Sequence, residues 1–331
     1  MTGATSVGRV QSRGARKETI VQIGLISDCL PNRDLATVLQ QYQQVGIHHI
    51  EIGTGNFSSA PHCELTRFLH DRRAREAWLD TFVQHGITIS ALNCSGNVLD
   101  GNVARRTQAQ QVFRDTVQLA ALIGVQTVVC MSGCPGEPAG TGQFPNWVTC
   151  DWQPEFLALL HQQWHEIVIP FWQHQASFLA QHNVRVAIEL HPGQVVYNPA
   201  TFLQLHQVTG DVIGINLDPS HLFWQGIEPI RVIERYGRHI FHVHAKDCWI
   251  DEDEMALNGG LDTRHGSGVT RVWQHCLWGD GHDEQYWQRF VQALADQHYT
   301  GVLSIEYAGR DTDVISDINR TRALIERVLP A

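Results

Sequence analysis

The chain has 331 residues, 43% hydrophobic and 18% charged, which is long and apolar enough for one large core and excludes a disordered polymer. A formal charge of -10, with no long run of Lys or Arg beyond the stretch from Arg9 to Lys17, argues against a phosphate-backbone surface. No segment reaches 18 uninterrupted apolar residues and the first twenty lack an apolar signal core, so a cytoplasmic protein is expected, with residues 1–18 as a frayed terminus and 19–331 as one domain.

In chain order, a strand is predicted over 21–27 with a helix over 34–45, then a strand over 48–53 with a helix over 64–85. Further pairs follow at 87–93 with 104–124, 127–132 with 154–182, 185–190 with 199–208, and 212–218 with 229–236. The last two are 240–244 with 284–297 and 301–306 with 313–328. Gly46, Gly86, Gly124 and Gly237 follow the ends of predicted helices, as C-terminal caps do. Eight strand–helix units predict a parallel sheet that closes into a single (β/α)8 TIM barrel, and no internal repeat or linker marks a second domain.

Two connections exceed what a minimal barrel needs, 133–153 after the fourth strand and 247–283 after the seventh, and both leave from the C-terminal face. The first carries Trp147 and Trp152; the second carries Trp249, Trp273 and Trp278. Such side chains wall a substrate pocket, meet a partner, or build a small satellite core. The eight cysteines lack the spacing of a disulfide scaffold, and Cys130 and Cys134 miss the usual zinc spacing, so all read as structural thiols.

Four strands end in residues that an apolar barrel does not need. Glu189, Asp218, His244 and Glu306 close the fifth to eighth runs, and barrel closure brings C-terminal strand ends to one face. Three carboxylates and an imidazole there repel one another and lose hydration unless positive charge sits among them; a divalent metal is the simplest candidate. His242 alternates in phase with His244 and reads equally well as the ligand.

The runs AIELHPG, NLDPSHLFWQG, HVHAKD, GHDEQYW and SIEYAG resemble those of the xylose isomerase-like TIM barrels of the sugar phosphate isomerase and epimerase family, and the resemblance extends from Ile20 onward. That superfamily includes ketose 3-epimerases, inosose dehydratases and endonuclease IV. The resemblance implies that Glu189, Asp218, His244 and Glu306 bind one divalent ion, Mn²⁺ first, with Mg²⁺, Co²⁺ or Zn²⁺ as alternatives; an oxygen-rich donor set with one imidazole suits that order. It further implies a sugar isomerase or epimerase that removes the proton next to a carbonyl through a metal-stabilised enediolate, with Glu189 and Glu306 as acid and base on opposite faces of the sugar.

Neighbouring residues extend the site. His191, two residues beyond Glu189, shares its side if the strand continues, and is a third catalytic candidate. Substrate-binding candidates are His221 in the D-P-S-H run, where related epimerases place a substrate-contacting His, then Trp224, Lys246, Asn93 and Glu51. For Lys246 the alternative is a buried ion pair at the strand end with Asp247, and for Glu51 it is a pairing with a pocket Lys or Arg.

The long loops and the E-L-H-P-G and D-P-S-H-L-F-W-Q-G runs are also similar to the large subunit of bacterial C-glycoside deglycosidases. That similarity implies, as the alternative, a lyase acting on 3-oxo-glycosides with a small partner subunit. DNA repair of the endonuclease IV type is remote: it needs a three-zinc cluster with more His ligands, whereas the third strand here ends in Asn93 and the chain is acidic. The expected partners are thus a sugar or glycoside, a small subunit in the lyase case, and further copies of the chain, with no nucleic acid and no membrane.

Overall fold

Short strands that are apolar on both faces need helices outside and side chains inside, and the predicted runs meet that demand by closing on themselves. A computed structural model describes residues 21–136, 143–266, 268–309 and 313–330; the expected frayed terminus and the middle of the 133–153 loop lie outside them. The first half contains β1 (Gln22–Ile26), α1 (Leu35–Gln44), β2 (His49–Gly53), α2 (Leu65–His70), α3 (Arg72–Gln84), β3 (Thr88–Asn93), α4 (Val103–Ile123), β4 (Thr127–Cys130), α5 (Pro154–Gln162) and α6 (Ile169–His182). The second contains β5 (Arg185–Glu189), α7 (Pro199–Thr209), β6 (Ile213–Leu217), α8 (Ser220–Phe223), α9 (Pro229–Tyr236), β7 (Ile240–Ala245), β8 (Asp247–Ile250), α10 (Glu252–Asn258), β9 (Trp273–Cys276), α11 (Glu284–Asp296), β10 (Val302–Ile305) and α12 (Val314–Val328).

Strands β1 to β7 pair in sequence order with every neighbour parallel, and β10 closes the ring between β7 and β1. This is the single (β/α)8 barrel that eight alternating units predict. Inside, Ala91, Val129 and Ala187 form a small apolar layer, while the larger core lies between the strands and the helical ring, around Trp172, Trp287, Phe113 and Phe202. No helix among the described residues is long and apolar enough to cross a membrane.

Three local features depart from the expected pattern. The predicted helix over 64–85 is two helices, because Asp71 leaves helical geometry and its side chain accepts from the Ala74 N–H, capping α3. The predicted helix over 154–182 contains a π-helical turn, Gln163–Val168, just before Pro170, which has no N–H to donate to the preceding turn. The long connection after β7 carries α10 and an antiparallel hairpin, β8 with β9, outside the barrel.

That hairpin is fastened by one carboxylate. Asp247 accepts from the backbone N–H groups of Cys248, Gly279, Gly281 and His282 and from the His282 ring at 2.7–3.1 Å. Asp247 therefore does not pair with Lys246, contrary to the strand-end ion pair considered above. Trp278, 1% exposed, packs on Trp287 with ring centroids 3.9 Å apart, so this tryptophan joins the main core rather than a pocket wall.

The barrel is tight where β6 meets β7. A Cβ on Gly214 would stand 2.5 Å from the His239 carbonyl oxygen and 2.5 Å from the Phe241 ring. Gly214→Ala should therefore lower stability by about 1–3 kcal/mol, as overpacking of a rigid core does. Chemical denaturation would read this as a lower midpoint, and an unchanged midpoint would contradict the spacing.

Candidate metal centre

The four predicted strand-end residues converge. Glu189 is the last residue of β5, Asp218 and Glu306 directly follow β6 and β10, and His244 lies in β7. One donor atom from each lies within 4.8 Å of the others. His244 Nδ1 is 2.9 Å from Glu306 Oε2 and 3.6 Å from Glu189 Oε1.

Beneath them sits Glu51, fully buried in β2. Its carboxylate accepts from Asn93 Nδ2, Ser304 Oγ and His242 Nε2, each at 2.7 Å, and faces His244 Nε2 at 3.2 Å. Glu51 is thus neither a substrate contact nor the partner of a pocket Lys or Arg, as expected above; the strand pleat points it at histidines. His242 is spent on Glu51, so of the two histidines in phase only His244 reaches the other three residues. Glu51 takes the Nε2 edge of His244 and leaves Nδ1 facing those carboxylates, the edge that would ligate an ion once its proton is displaced.

Two further cations enter the cluster. Lys246 Nζ lies 2.8 Å from both Asp218 Oδ2 and Glu306 Oε1. His221, on α8, places Nε2 3.2 Å from Asp218 Oδ2 and 3.3 Å from Glu189 Oε1. Burial opposes every one of these charges, so the directions of the pKa shifts show that pairing wins. Against burial, His244 and His242 hold the Glu51 carboxyl well below its usual range, and His221 and His244 do the same for Glu189. Lys246 and His221 lower Asp218, Lys246 and His244 lower Glu306, and Asp218 raises Lys246. Asp218 also outweighs burial at His221, whose pKa rises to about 9.

The remaining candidates divide. His191 comes to the site, though not by continuation of β5: the chain turns, its N–H bonding to the Val196 carbonyl, and the His191 ring rests on His221 with centroids 4.0 Å apart. Asn93 lines the cavity at the barrel mouth, about 400 Å³, together with Glu189, His244 and Glu306. Trp224 does not line it; the ring is 8% exposed and stacks on Trp273 at 4.5 Å with a 4° interplanar angle. A second cavity of about 320 Å³, between Trp147, Trp164 and Tyr197, holds none of the carboxylates.

Several residues were missed by sequence reasoning. Asp28, Phe57, Ser58, Met131 and Tyr307 line the mouth cavity, and each follows shortly after a barrel strand, a signal that could have found them. His275, in β9, reaches the site through its ring contact with His221 at 4.8 Å. Burial, then His221 and Lys246, push its pKa down to about 3, so it is neutral. Nothing in the spacing of the long loop marked it.

The residues present fit a divalent ion. Asp218 Oδ2 and Glu306 Oε2 lie near Lys246 and His244 by distance, yet neither buried oxygen receives a well-directed hydrogen bond, and both belong to the converging set. Three oxygen donors and one imidazole are the ligands that Mn²⁺, Mg²⁺ and Zn²⁺ accept.

Comparison with known proteins identifies the fold and the family. The uncharacterized protein YfiH of Bacillus subtilis (strain 168) is 34% identical over 291 residues, 86% of this chain and 92% of that protein. Inosose dehydratase of Clostridium botulinum (strain Eklund 17B / Type B) is 27% identical over 128 residues, 38% of this chain and 41% of the relative. The solved structure of a xylose isomerase-like TIM barrel protein from Mycobacterium smegmatis in complex with magnesium has the same fold, with a TM-score of 0.63 at 16% identity over 94% of this chain and 98% of that one. Since residues 39–327, nearly the whole barrel, also match the family model described as xylose isomerase-like TIM barrel, the chain belongs to that family.

Proposed function

We propose that this protein is a divalent-metal-dependent enzyme that removes the proton next to a carbonyl of a polyhydroxylated substrate, with isomerisation or epimerisation of a sugar as the outcome. The observation that carries the reading is the meeting of Glu189 and Glu306 at His244 Nδ1, on the wall of the mouth cavity. Glu189, Asp218, His244 and Glu306 would hold the ion, Mn²⁺ first, and when bound it polarises a substrate carbonyl and offsets charge gathering on its oxygen.

The chain's own residues supply the rest. Glu306, with 30% of its side chain exposed, is open to substrate and is kept ionised by Lys246 and His244, so it can accept the proton. The same neighbours reduce its basicity. Glu189, 5% exposed and tied to His221, serves the other face of the substrate. Lys246, charged and fixed between two carboxylates, adds a positive field where the oxygen becomes negative.

A second reading, elimination rather than epimerisation, is favoured by the three imidazoles His191, His221 and His275 gathered beside the carboxylates. A departing group needs a proton-transfer partner of its own, and the contact of His191 with His221 supports that role for His191. The inosose dehydratase relative is a dehydratase by name, which supports this outcome. So does the resemblance to C-glycoside deglycosidases, in which case a small partner subunit would complete the enzyme.

Incubation with a keto sugar in D₂O should exchange the hydrogen next to the carbonyl, and Glu306→Gln should slow that exchange by about 10²–10⁴. Exchange that survives the substitution would remove Glu306 from the base role. Chelator-stripped protein should take up Mn²⁺ in a calorimetric titration, and Glu51→Gln should weaken that uptake by about 10–100-fold by releasing His244, the usual effect of losing an outer-shell partner. Equal affinity in the variant would show that Glu51 does not set the ligand. His191→Ala should lower kcat for release of an aromatic aglycone from a 3-oxo-glycoside by about 10² or more, while changing mainly KM for a ketose. Loss of ketose turnover in this variant would place His191 in the shared step instead.

A further inference from the structure

At the opposite end of the barrel, a second set of metal-ligating side chains comes together around the starts of β6 and β7. His206 projects from α7, Asp211 from the turn before β6 and His239 from the turn before β7, and one donor atom from each lies within 4.8 Å of the other two. None of the three belongs to the site at the mouth.

The imidazole orientations point to a ligand. His206 Nδ1 lies 3.1 Å from the Ile213 carbonyl, a contact that requires the ring N–H on that side, so the neutral ring presents the lone pair of Nε2 outward. A backbone carbonyl holding the far nitrogen is the usual support of a ligating histidine. The outward Nε2 stands 3.4 Å from Asp211 Oδ1. Two lone-pair atoms facing each other need a cation or a proton between them. Their separation matches the edge of a tetrahedron with bonds of about 2.0–2.1 Å, roughly 3.3–3.4 Å.

The third ring is held close. His239 is 6% exposed, its ring centroid lies 4.4 Å from that of His206, and Phe202 contacts both rings at 5.4 and 5.7 Å as an apolar floor. His239 Nε2 accepts a hydrogen bond and so carries a lone pair able to ligate. Arg238 is a competitor: its Nε donates to His239 Nε2 at 3.0 Å, and an ion using that nitrogen must displace an exposed guanidinium.

We propose that His206, Asp211 and His239 bind a divalent ion of the zinc class, stapling the turn before β6 to the turn before β7. Two imidazoles and one carboxylate favour zinc over magnesium or calcium, which prefer all-oxygen sites. The proposal stands independently of the chemistry at the mouth.

The test uses the full chain, stripped with chelator and titrated with Zn²⁺ by calorimetry. A Glu189→Gln, Asp218→Asn double variant cripples the mouth site, and in that background one Zn²⁺ should still bind per chain. Adding Asp211→Asn, whose side chain is in solvent and leaves packing alone, should weaken that binding by at least about tenfold, whereas Arg238→Gln should tighten it. If the double variant does not fold, the wild-type chain serves, and Asp211→Asn alone should then cost it one of two bound Zn²⁺ ions. Zinc affinity and stoichiometry indifferent to Asp211→Asn, or no Zn²⁺ bound outside the mouth site, overturns the proposal. Mn²⁺ uptake by the Asp211→Asn protein reports separately on the mouth, so the two failures cannot be confused.

Discussion

Ionised carboxylates buried side by side are the constraint on which this structure turns. Glu51, Glu189 and Asp218 are buried at one end of the barrel, with Glu306, 30% exposed, beside them, and the buried three would take up protons unless cations stood between them. The fold supplies those cations from the end of β7 and from α8, with Lys246 between Asp218 and Glu306, His221 between Asp218 and Glu189, and His244 between Glu51 and Glu306. Only a closed barrel brings so many strand termini within a few ångströms of one another. Charge and fold are therefore two statements of the same arrangement.

The same constraint orders the site in depth. Glu51 forms a buried lower tier that grips Asn93, Ser304 and both histidines of β7, while the upper tier opens on the cavity. The hydrogen bonds around Glu51 hold the lower tier in place beneath the cavity.

The barrel was legible because β5 to β7 and β10 read as short apolar runs and because each ends in a residue that has no place in an apolar core. Period and position sufficed for Glu189, Asp218, His244 and Glu306, whose convergence follows from strand closure alone. They did not suffice where the direction of a side chain depends on what lies across the barrel: Glu51 and Trp224 were read as facing substrate, but one is claimed by the histidines of β7 and the other by Trp273. His275 was invisible for a related reason. Its place is fixed by pairing of β8 with β9, which have 22 residues between them, and no local period records such a partner.

Lys246 and Asp247 are neighbours in sequence with opposite allegiances. The ammonium is bound to the barrel carboxylates, and the carboxylate gathers the backbone of residues 279–282. One peptide unit therefore couples the loop mechanically to the cation of the site, with no flexible spacer to absorb strain. Any rearrangement of that loop is felt as a displacement of charge at the mouth, so the periphery of the barrel can retune its centre without altering a single residue there.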